Sequence, residues 1–333
     1  MDSLIVNIII FLISALSTII FGTYLAKYGD VIASITGLGR LFVGSILVAL
    51  ATSLPELSAN ISAVLLSPPN PSLALGNVIG ANMTNMTMFA LIALIFGGKA
   101  VLDQISNSQW YLASLAFIMT FVTLILGIIN ISLSVFNLGL SSLIILLLYL
   151  AGLRVIYSTK TEEKENNNEV FTISAKTAWS YFGLISLGVI ISGYFLAFSV
   201  DNIAEISGIA SSTLGIIAVS LVTTMPEASA YFASVKMKAA DLGVAGLLGS
   251  CVFNISIIFY ADIFYKGNLM SQFENAHITA GIFTSVMILL AMFIILFKDK
   301  LEKLISNSLL FSLIVLYALG IFFVTELFKR KKQ

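Results

Sequence analysis

The sequence predicts an all-α integral membrane protein with ten transmembrane helices, arranged as two inverted repeats of five helices each. Three observations support this fold class. Of the 333 residues, 59% are hydrophobic and 10% are charged, whereas soluble domains contain about 45 to 50% apolar residues. Apolar segments of about 20 residues, the length that spans a bilayer, recur along the chain. In each half, a polar pentapeptide interrupts one such segment: Thr52-Ser53-Leu54-Pro55-Glu56 and Thr223-Thr224-Met225-Pro226-Glu227.

The ten predicted spans fall into two groups of five. Those of the first half are 4–25, 41–66, 72–96, 110–129 and 133–157, and those of the second are 178–200, 215–235, 240–264, 276–297 and 307–327. Residues 1–157 therefore form a first repeat and residues 178–333 a second, inverted one. The linker 158–177 carries four glutamates and three consecutive asparagines, a composition typical of a solvated segment.

The basic residues predict how the chain is oriented in the membrane. Of the 17 lysines and arginines, 12 lie in the loops that follow odd-numbered spans or in the linker. Because cytoplasmic loops carry the excess of basic residues, the linker is predicted to be cytoplasmic and the N-terminus outside. Lys266 and the basic tail 329–332 fall on the other side, and the tail disagrees with the rule. A multi-pass protein of the cell membrane, monomeric and in contact with the lipid bilayer, is expected.

Charge and motifs exclude several functions. The 17 basic and 17 acidic side chains cancel, so the composition does not indicate a nucleic-acid partner. The sequence contains no nucleophile paired with a base, no cofactor-binding loop and no cluster of His or Cys. We therefore expect neither an enzyme nor a resident cofactor.

Equivalent motifs recur in the two halves at a nearly constant offset along the sequence. Glu56 and Glu227 are 171 residues apart, as are Pro55 and Pro226, and Asn85 and Asn254 are 169 apart. Because five spans separate equivalent points, the second copy must enter the membrane from the opposite face. The two Pro-Glu breaks are therefore expected to approach each other near the midplane.

Each break collects oxygen ligands. A buried carboxylate in a bilayer costs at least about 2.5 to 3.5 kcal/mol, so it faces a partner or a cargo. Proline has no N–H and leaves a backbone carbonyl unpaired, and Thr52, Ser53, Thr223 and Thr224 add hydroxyls. A site of carboxylate, hydroxyl and carbonyl oxygens suits hard cations such as Ca²⁺ and Na⁺.

The third and eighth predicted spans are expected to complete this site. Both combine glycines at helical spacing with polar residues, and Asn77, Asn85, Ser250 and Asn254 can present oxygens to the same cavity. Asn60 is interpreted as a helix-end or interfacial residue. Cys251 is interpreted as a small packing residue beside Ser250.

At these residues the chain resembles the sodium/calcium exchanger family of calcium:cation antiporters, whose two repeats carry a Thr-Ser-x-Pro-Glu stretch followed by a Gly-rich segment. The resemblance implies alternating access and a central calcium site formed by Glu56, Glu227 and the backbone oxygens of Thr52 and Thr223. It also implies that sodium ions are bound by Ser53, Thr224, Ser250 and the carbonyls of Ala49 and Ser220. The transported ions are thus expected to be Ca²⁺ and Na⁺.

The chain departs from the family pattern at two positions. Ala81 stands where the family usually has a hydroxyl residue, and Asn254 stands where many members carry Asp. The first change removes a ligand of one flanking sodium site, and the second leaves Glu56 and Glu227 as the only obvious anions in the cavity. Both changes bear on the ion stoichiometry.

Three alternatives remain open on the sequence. A proton/calcium antiporter, or one involving K⁺, could use the same two carboxylates, and Ala81 gives the proton version some weight. A cation channel would conduct without a counter-ion. A membrane scaffold that transports nothing is disfavoured by the paired buried acids.

Overall fold

Helices make up almost all of the chain that the computed structural model describes, namely residues 3–36, 52–135, 138–158 and 174–331. The first half contains α1 Leu4–Thr36, α2 Leu54–Leu65, α3 Pro71–Ile95, α4 Lys99–Leu102, α5 Gln109–Ile129 and α6 Leu140–Ser158. The second half contains α7 Ala175–Ser207, α8 Ser211–Leu214, a π-helical turn Gly215–Val219, α9 Ser220–Thr223, α10 Met225–Lys236, α11 Ala240–Phe264, a 3-10 turn Leu269–Gln272, α12 Asn275–Phe297 and α13 Lys303–Lys331.

Seven helices of the described residues are long and apolar enough to cross a membrane: α1, α3, α5, α7, α11, α12 and α13. The pair Ser211–Thr223 and Met225–Lys236 forms an eighth, bent by 42° at its break. Helix α6 has a shorter apolar stretch, Leu140–Val155. The first part of the predicted second span, 41–51, lies outside the described residues, so the count of ten remains a prediction.

The predicted boundaries match several helices closely. Helix α11 coincides with the predicted span 240–264, and α3, α5 and α12 begin and end within one residue of theirs. Helices α1, α7 and α13 extend beyond their predicted spans because a helix does not have to end where its apolar stretch ends. The predicted span 215–235 is wrong as a single helix, because the observed bent helix starts at Ser211 and breaks between Thr223 and Met225.

The described chain is predominantly helical, as predicted, but one predicted span does not begin as a helix. The predicted span 133–157 begins with a hairpin in which β1 Ser134–Val135 pairs antiparallel with β2 Leu138–Gly139. The buried carboxylate of Asp262 accepts hydrogen bonds from Gly139 N at 2.7 Å and from Leu269 N at 2.8 Å. The first bond pairs the Gly139 N–H, which a helix starting at residue 133 would pair internally. The membrane helix therefore starts only at Leu140.

Helices α1 and α7 have the same length and pack against each other over much of it. Tyr28 stacks on Tyr181 with ring centroids 5.2 Å apart, and Gly188 lies against the ring of Phe21. Residue numbers rise along one helix as they fall along the other, so the two helices run antiparallel.

Helices α3 and α11 form the centre of the protein. Their apolar stretches are 78% and 83% buried, whereas those of α1 and α13 are 22% buried. Gly76 and Gly80 of α3 lie against the backbone of α8 and the π-helical turn, where a methyl group at Gly80 would come within 2.7 Å of the Ile216 Cα. Small residues allow this close backbone approach. The bent helix is thereby held directly against α3.

The connections gather at two ends of the bundle. One end, which we call the basic end, carries Lys27 near Met237, and Lys99 donates a hydrogen bond to the Lys298 carbonyl there. Ser106 N donates to Asp241 at the start of α11, which joins the two sets of connections. The opposite end contains the starts of α3, α8 and α12 together with the hairpin.

We predict that Gly80→Ala destabilises the protein and that Gly183→Ala does not. The new methyl group at Gly80 would overlap the Ile216 backbone, and overpacking of this kind costs about 1 to 3 kcal/mol. Gly183 of α7 has no atom within 4 Å of the position of an added methyl group among the described residues, so alanine there should be neutral or stabilising. Thermal unfolding in detergent compares the two variants with the parent. Equal transition temperatures for both variants would contradict the packing described for Gly80.

Candidate ion-binding site

The bent helix places Glu227 at the start of a helical segment. The π-helical turn precedes α9, and a π-bulge of this kind often marks a functional site. The helix then breaks at Thr224, and Pro226 occupies the first turn of α10. Proline fits this position because the first helical N–H groups have no acceptor within the helix. Glu227 therefore lies in the first turn of α10, where the helix dipole stabilises a negative charge.

Glu56 occupies the equivalent position in the first half. It lies in the first turn of α2, directly after Pro55, and Ser53 precedes that helix. The side chains of Glu56 and Glu227 are 0% and 3% exposed. Both carboxylates are thus removed from lipid and from bulk water.

The two breaks meet inside the protein. Ser53 Oγ of the first donates to Glu227 Oε1 of the second at 2.9 Å. Thr52 Oγ1 lies 3.3 Å from Ser250 Oγ on α11, and Thr223 Oγ1 donates to Asn77 Oδ1 on α3 at 3.2 Å. Each break is therefore tied by a hydroxyl contact to the central helix of the opposite half.

The carboxylates have few partners of their own. Within the described ranges, neither oxygen of Glu56 accepts a hydrogen bond, nor does Oε2 of Glu227. The two side chains lie close enough to repel each other, and no ion pair with a basic group relieves the repulsion in this part of the chain. A buried charge without compensation is costly, so the arrangement favours a bound cation.

Amide side chains of the central helices also lack partners. Both amide atoms of Asn85, Nδ2 of Asn77 and Oδ1 of Asn254 are buried without a hydrogen-bond partner among the described side chains and backbone. Asn85 lies beside Cys251, and the Cys251 thiol lies near enough to both glutamates to interact with them electrostatically. The unpartnered amides and carboxylates thus belong to one polar interior.

The Ser220 carbonyl, a predicted sodium ligand, is already hydrogen-bonded to Thr224. The carbonyl of Ser220 accepts hydrogen bonds from the backbone N–H of Thr224 and from the Thr224 hydroxyl. The hydroxyl of Ser220 donates to the Ile216 carbonyl at 2.5 Å. A cation at the Ser220 carbonyl would therefore compete with the Thr224 hydroxyl. The predicted ligand Ala49 lies outside the described residues.

The sequence interpretation of Asn60 is wrong. Asn60 lies in the middle of α2, one helical turn after Glu56, and is 1% exposed. Its Nδ2 donates to the Glu56 carbonyl at 2.7 Å, and its Oδ1 has no partner in the described structure. The i to i+4 spacing from Glu56 was the signal that could have placed it on the site face of the helix.

Helices α1 and α7 cover the two breaks. A side chain at Gly22 of α1 would overlap the ring of Pro226 and would lie 3.3 Å from the ring of Pro55. A side chain at Gly193 of α7 would overlap Ser58 of α2, whose hydroxyl donates to the Ile190 carbonyl at 3.1 Å. The antiparallel pair α1 and α7 therefore contacts both breaks at glycines.

A cavity of about 250 Å³ reaches Glu227 from the basic end. It runs along α10 past Ser229 and Ala233 to Met237, and Gly243 and Gly246 of α11 form part of its wall. Among the described residues, no atom lies within 4 Å of where a side chain at Gly246 would begin. The site is therefore accessible from this end.

Hydrogen bonds join four helices at the opposite end. Asn70, which caps α3, donates to Asp201 of α7 and to Ser211 of α8. Glu274 accepts from Ser72 at 2.6 Å and from Ser212 at 3.1 Å. These contacts join α3, α7, α8 and α12, and α3 packs closely against the bent helix at Gly76 and Gly80.

Comparisons with known proteins agree with this architecture. The sequence profile of the sodium/calcium exchanger protein family matches residues 6–158 and 177–326. The chain belongs to the sodium/calcium exchanger family. It is accordingly a multi-pass membrane protein of a family of cation exchangers that transport Ca²⁺, and the predicted family resemblance is confirmed.

The relatives span bacteria and archaea. The inner membrane protein YrbG of Escherichia coli (strain K12) is 23% identical over 234 residues, which is 67% of this chain and 68% of YrbG. The sodium/calcium exchanger MaX1 of Methanosarcina acetivorans is 30% identical over 116 residues, about a third of each chain.

Two solved structures share the fold. The H⁺/Ca²⁺ exchanger CAX superposes with a TM-score of 0.71 at 16% sequence identity. The superposition covers 98% of this chain and 88% of the CAX chain. The sodium-calcium exchanger NCX_Mj superposes with a TM-score of 0.58 at 20% sequence identity. The superposition covers 96% of this chain and 99% of the NCX_Mj chain. At these identities the likeness concerns the fold alone.

We predict that a thiol at position 229 reacts with water-soluble maleimide much faster than a thiol at position 58. The two serines are equivalent in the duplication, but Ser229 lines the cavity whereas Ser58 is buried against α7. Ser229→Cys and Ser58→Cys, each combined with Cys251→Ala, provide the matched pair, since Cys251 is the single natural cysteine. Equal labelling rates would contradict the one-sided opening.

Proposed function

We propose that this protein exchanges Ca²⁺ for Na⁺ across the cell membrane by alternating access, through a central site formed by Glu56 and Glu227 and without a resident cofactor. The observation that supports the proposal is the meeting of two buried carboxylates from two broken membrane segments. Three of their four oxygens lack a hydrogen-bond partner in the described chain. Two carboxylates balance the charge of one divalent cation.

The remaining ligands follow from the groups around the carboxylates. Calcium takes roughly six to eight oxygen ligands in flexible geometry, so neutral oxygens must supplement the carboxylates. We assign to this role the backbone oxygens of Thr52 and Thr223, with Asn85 and Asn254 from the central helices and Asn77 beside Thr223. The proposed sodium ligands are Ser53, Thr224, Ser250 and the carbonyls of Ala49 and Ser220. We add the unpartnered Oδ1 of Asn60 to the candidates for ion coordination.

Antiport follows from competition for the same carboxylates. If Ca²⁺ and Na⁺ occupy overlapping sites, the binding of one excludes the other. An empty site exposes two like charges to each other in a buried environment, so crossing the membrane without an ion is unfavourable. Ion-filled states can change sides, which couples the two fluxes.

We infer that ten membrane segments form two inverted repeats, with boundaries at 1–157 and 178–333. Equivalent helices support this inference by their lengths: α1 and α7 both have 33 residues, α2 and α10 both have 12, and α3 and α11 both have 25. The antiparallel packing of α1 and α7 is the relation that an inverted repeat requires. We propose a monomeric transport unit.

The proposed orientation puts the basic end and the linker in the cytoplasm and the N-terminus outside. The excess of lysines at that end supports it. The cavity then connects the site to the cytoplasm, while the hydrogen bonds of Asn70 and Glu274 close the outer side. Closure of one side argues against a channel, which needs a passage open at both ends.

We predict that Glu56→Gln and Glu227→Gln each abolish calcium exchange. Glutamine keeps the shape of the side chain but removes one of the two charges that balance a divalent cation. Uptake of radioactive calcium into proteoliposomes measures the effect. The matched control is Glu205→Gln, an exposed glutamate on α7, which should keep flux within about twofold of the parent. Parent-like flux in either site variant would refute the two-carboxylate site.

The coupling ion is tested in the same vesicles. We predict that an imposed sodium gradient drives calcium uptake at clamped pH and that a potassium gradient does not. The retained hydroxyls of Ser53, Thr224 and Ser250 favour sodium as the counter-ion.

The second candidate is proton/calcium exchange. It is favoured by Ala81, which provides no hydroxyl where its equivalent Ser250 does, and by the unpartnered carboxylate oxygens, which can accept protons. Calcium uptake that follows a pH gradient and ignores sodium would replace the sodium assignment by this one.

A further inference from the structure

Two amides cross-link the central helices α3 and α11 in the interior. Asn82 Nδ2 donates to the Cys251 carbonyl at 2.9 Å, and Asn254 Nδ2 donates to Asn82 Oδ1 at 3.2 Å. Both asparagines are 0% exposed. A carbonyl oxygen can only accept a hydrogen bond, so the first bond determines which way round the Asn82 amide lies. That orientation in turn determines the orientation of Asn254.

These hydrogen bonds leave the amide oxygen of Asn254 without a donor in the described structure. Its Nδ2 is occupied by Asn82, and its Oδ1 is buried with no donor in the described part of the protein. A buried amide oxygen without a donor is costly unless a ligand pairs with it. The oxygen is therefore available as an acceptor in the buried interior between α3 and α11.

In the other half, the equivalent amide, that of Asn85, is not oriented by a hydrogen bond in the described structure. The offset of 169 residues makes Cys251 the counterpart of Asn82 and Asn85 the counterpart of Asn254. The Cys251 thiol lies next to Asn85, but both amide atoms of Asn85 lack a hydrogen bond in the described structure. A thiol is only a weak donor, so it orients the neighbouring amide poorly. The two halves thus hold their amides differently.

We propose that Asn82 is a positioning residue that keeps the Asn254 amide oxygen turned towards the bound cation. The proposal rests on the proposed function and extends it to a residue that is not itself assigned as an ion ligand. Its physical basis is preorganisation: a ligand that is already oriented binds without first being reordered. Asn254 is the residue through which Asn82 acts.

The test is a double-mutant cycle between positions 82 and 254. An aspartate has two equivalent oxygens, so it presents an acceptor to the ion whichever way it is turned and needs no orienting partner. We expect Asn82→Ala to raise the calcium concentration for half-maximal exchange about fivefold, the effect of one lost hydrogen bond. In the Asn254→Asp background, the same change should not raise that concentration, because an aspartate has no donor for the Asn82 oxygen to hold. The control is Asn202→Ala, which removes an amide on α7 that donates to the Phe198 carbonyl of its own helix.

The outcomes separate positioning from a purely structural role. Equal shifts in both backgrounds, or no shift in the parent background, would overturn the proposal for Asn82. Asn82→Leu, which fills the space of the amide, serves as the second variant if Asn82→Ala lowers the transition temperature, and the same comparison applies to it. If the parent protein exchanges no calcium at all, the proposed function fails, and the role of Asn82 fails with it. If the parent protein exchanges calcium but the cycle shows no coupling, only the role of Asn82 is rejected.

Discussion

The electrostatic cost of two buried carboxylates is the constraint on which the rest of this structure depends. Glu56 and Glu227 lie within the bundle, repel each other, and have no basic partner among the described residues. Removing such charges from water is unfavourable unless a counter-charge enters with them. In the parts that the structure describes, the surrounding helices supply polar oxygens and no fixed positive charge. This is why we propose a mobile cation as the partner of the site.

Close backbone packing keeps the two carboxylates in place. Gly76 and Gly80 let α3 lie against the bent helix, and Gly22 lets α1 lie against the ring of Pro226. The prolines occupy the first turns of α2 and α10, where their missing N–H groups cost little. Breaks that would weaken an isolated membrane helix are thus stabilised by neighbouring helices.

The two halves are alike in sequence pattern but not in their surroundings. Ser229 lines an open cavity, whereas its equivalent Ser58 is packed against α7. Gly246 leaves space on one side of the site, whereas its equivalent Asn77 is hydrogen-bonded to Thr223 on the other. A pair of repeats that were related by perfect symmetry would open to both sides or to neither. Alternating access requires this kind of inequality between equivalent positions.

The sequence by itself determined the membrane class, most span boundaries and the pairing of Glu56 with Glu227. Apolar length and repeated motifs are local properties, and a residue that breaks an apolar span must have a compensating partner. It could not reveal the hairpin before α6, because Asp262 stabilises it from a distant helix.

Only the tertiary structure decided the bonds from Asn82 to Asn254 and the end at which the site is open. Each of these depends on which side chains from separate helices come within hydrogen-bonding distance, and the spacing of residues along one helix does not contain that distance.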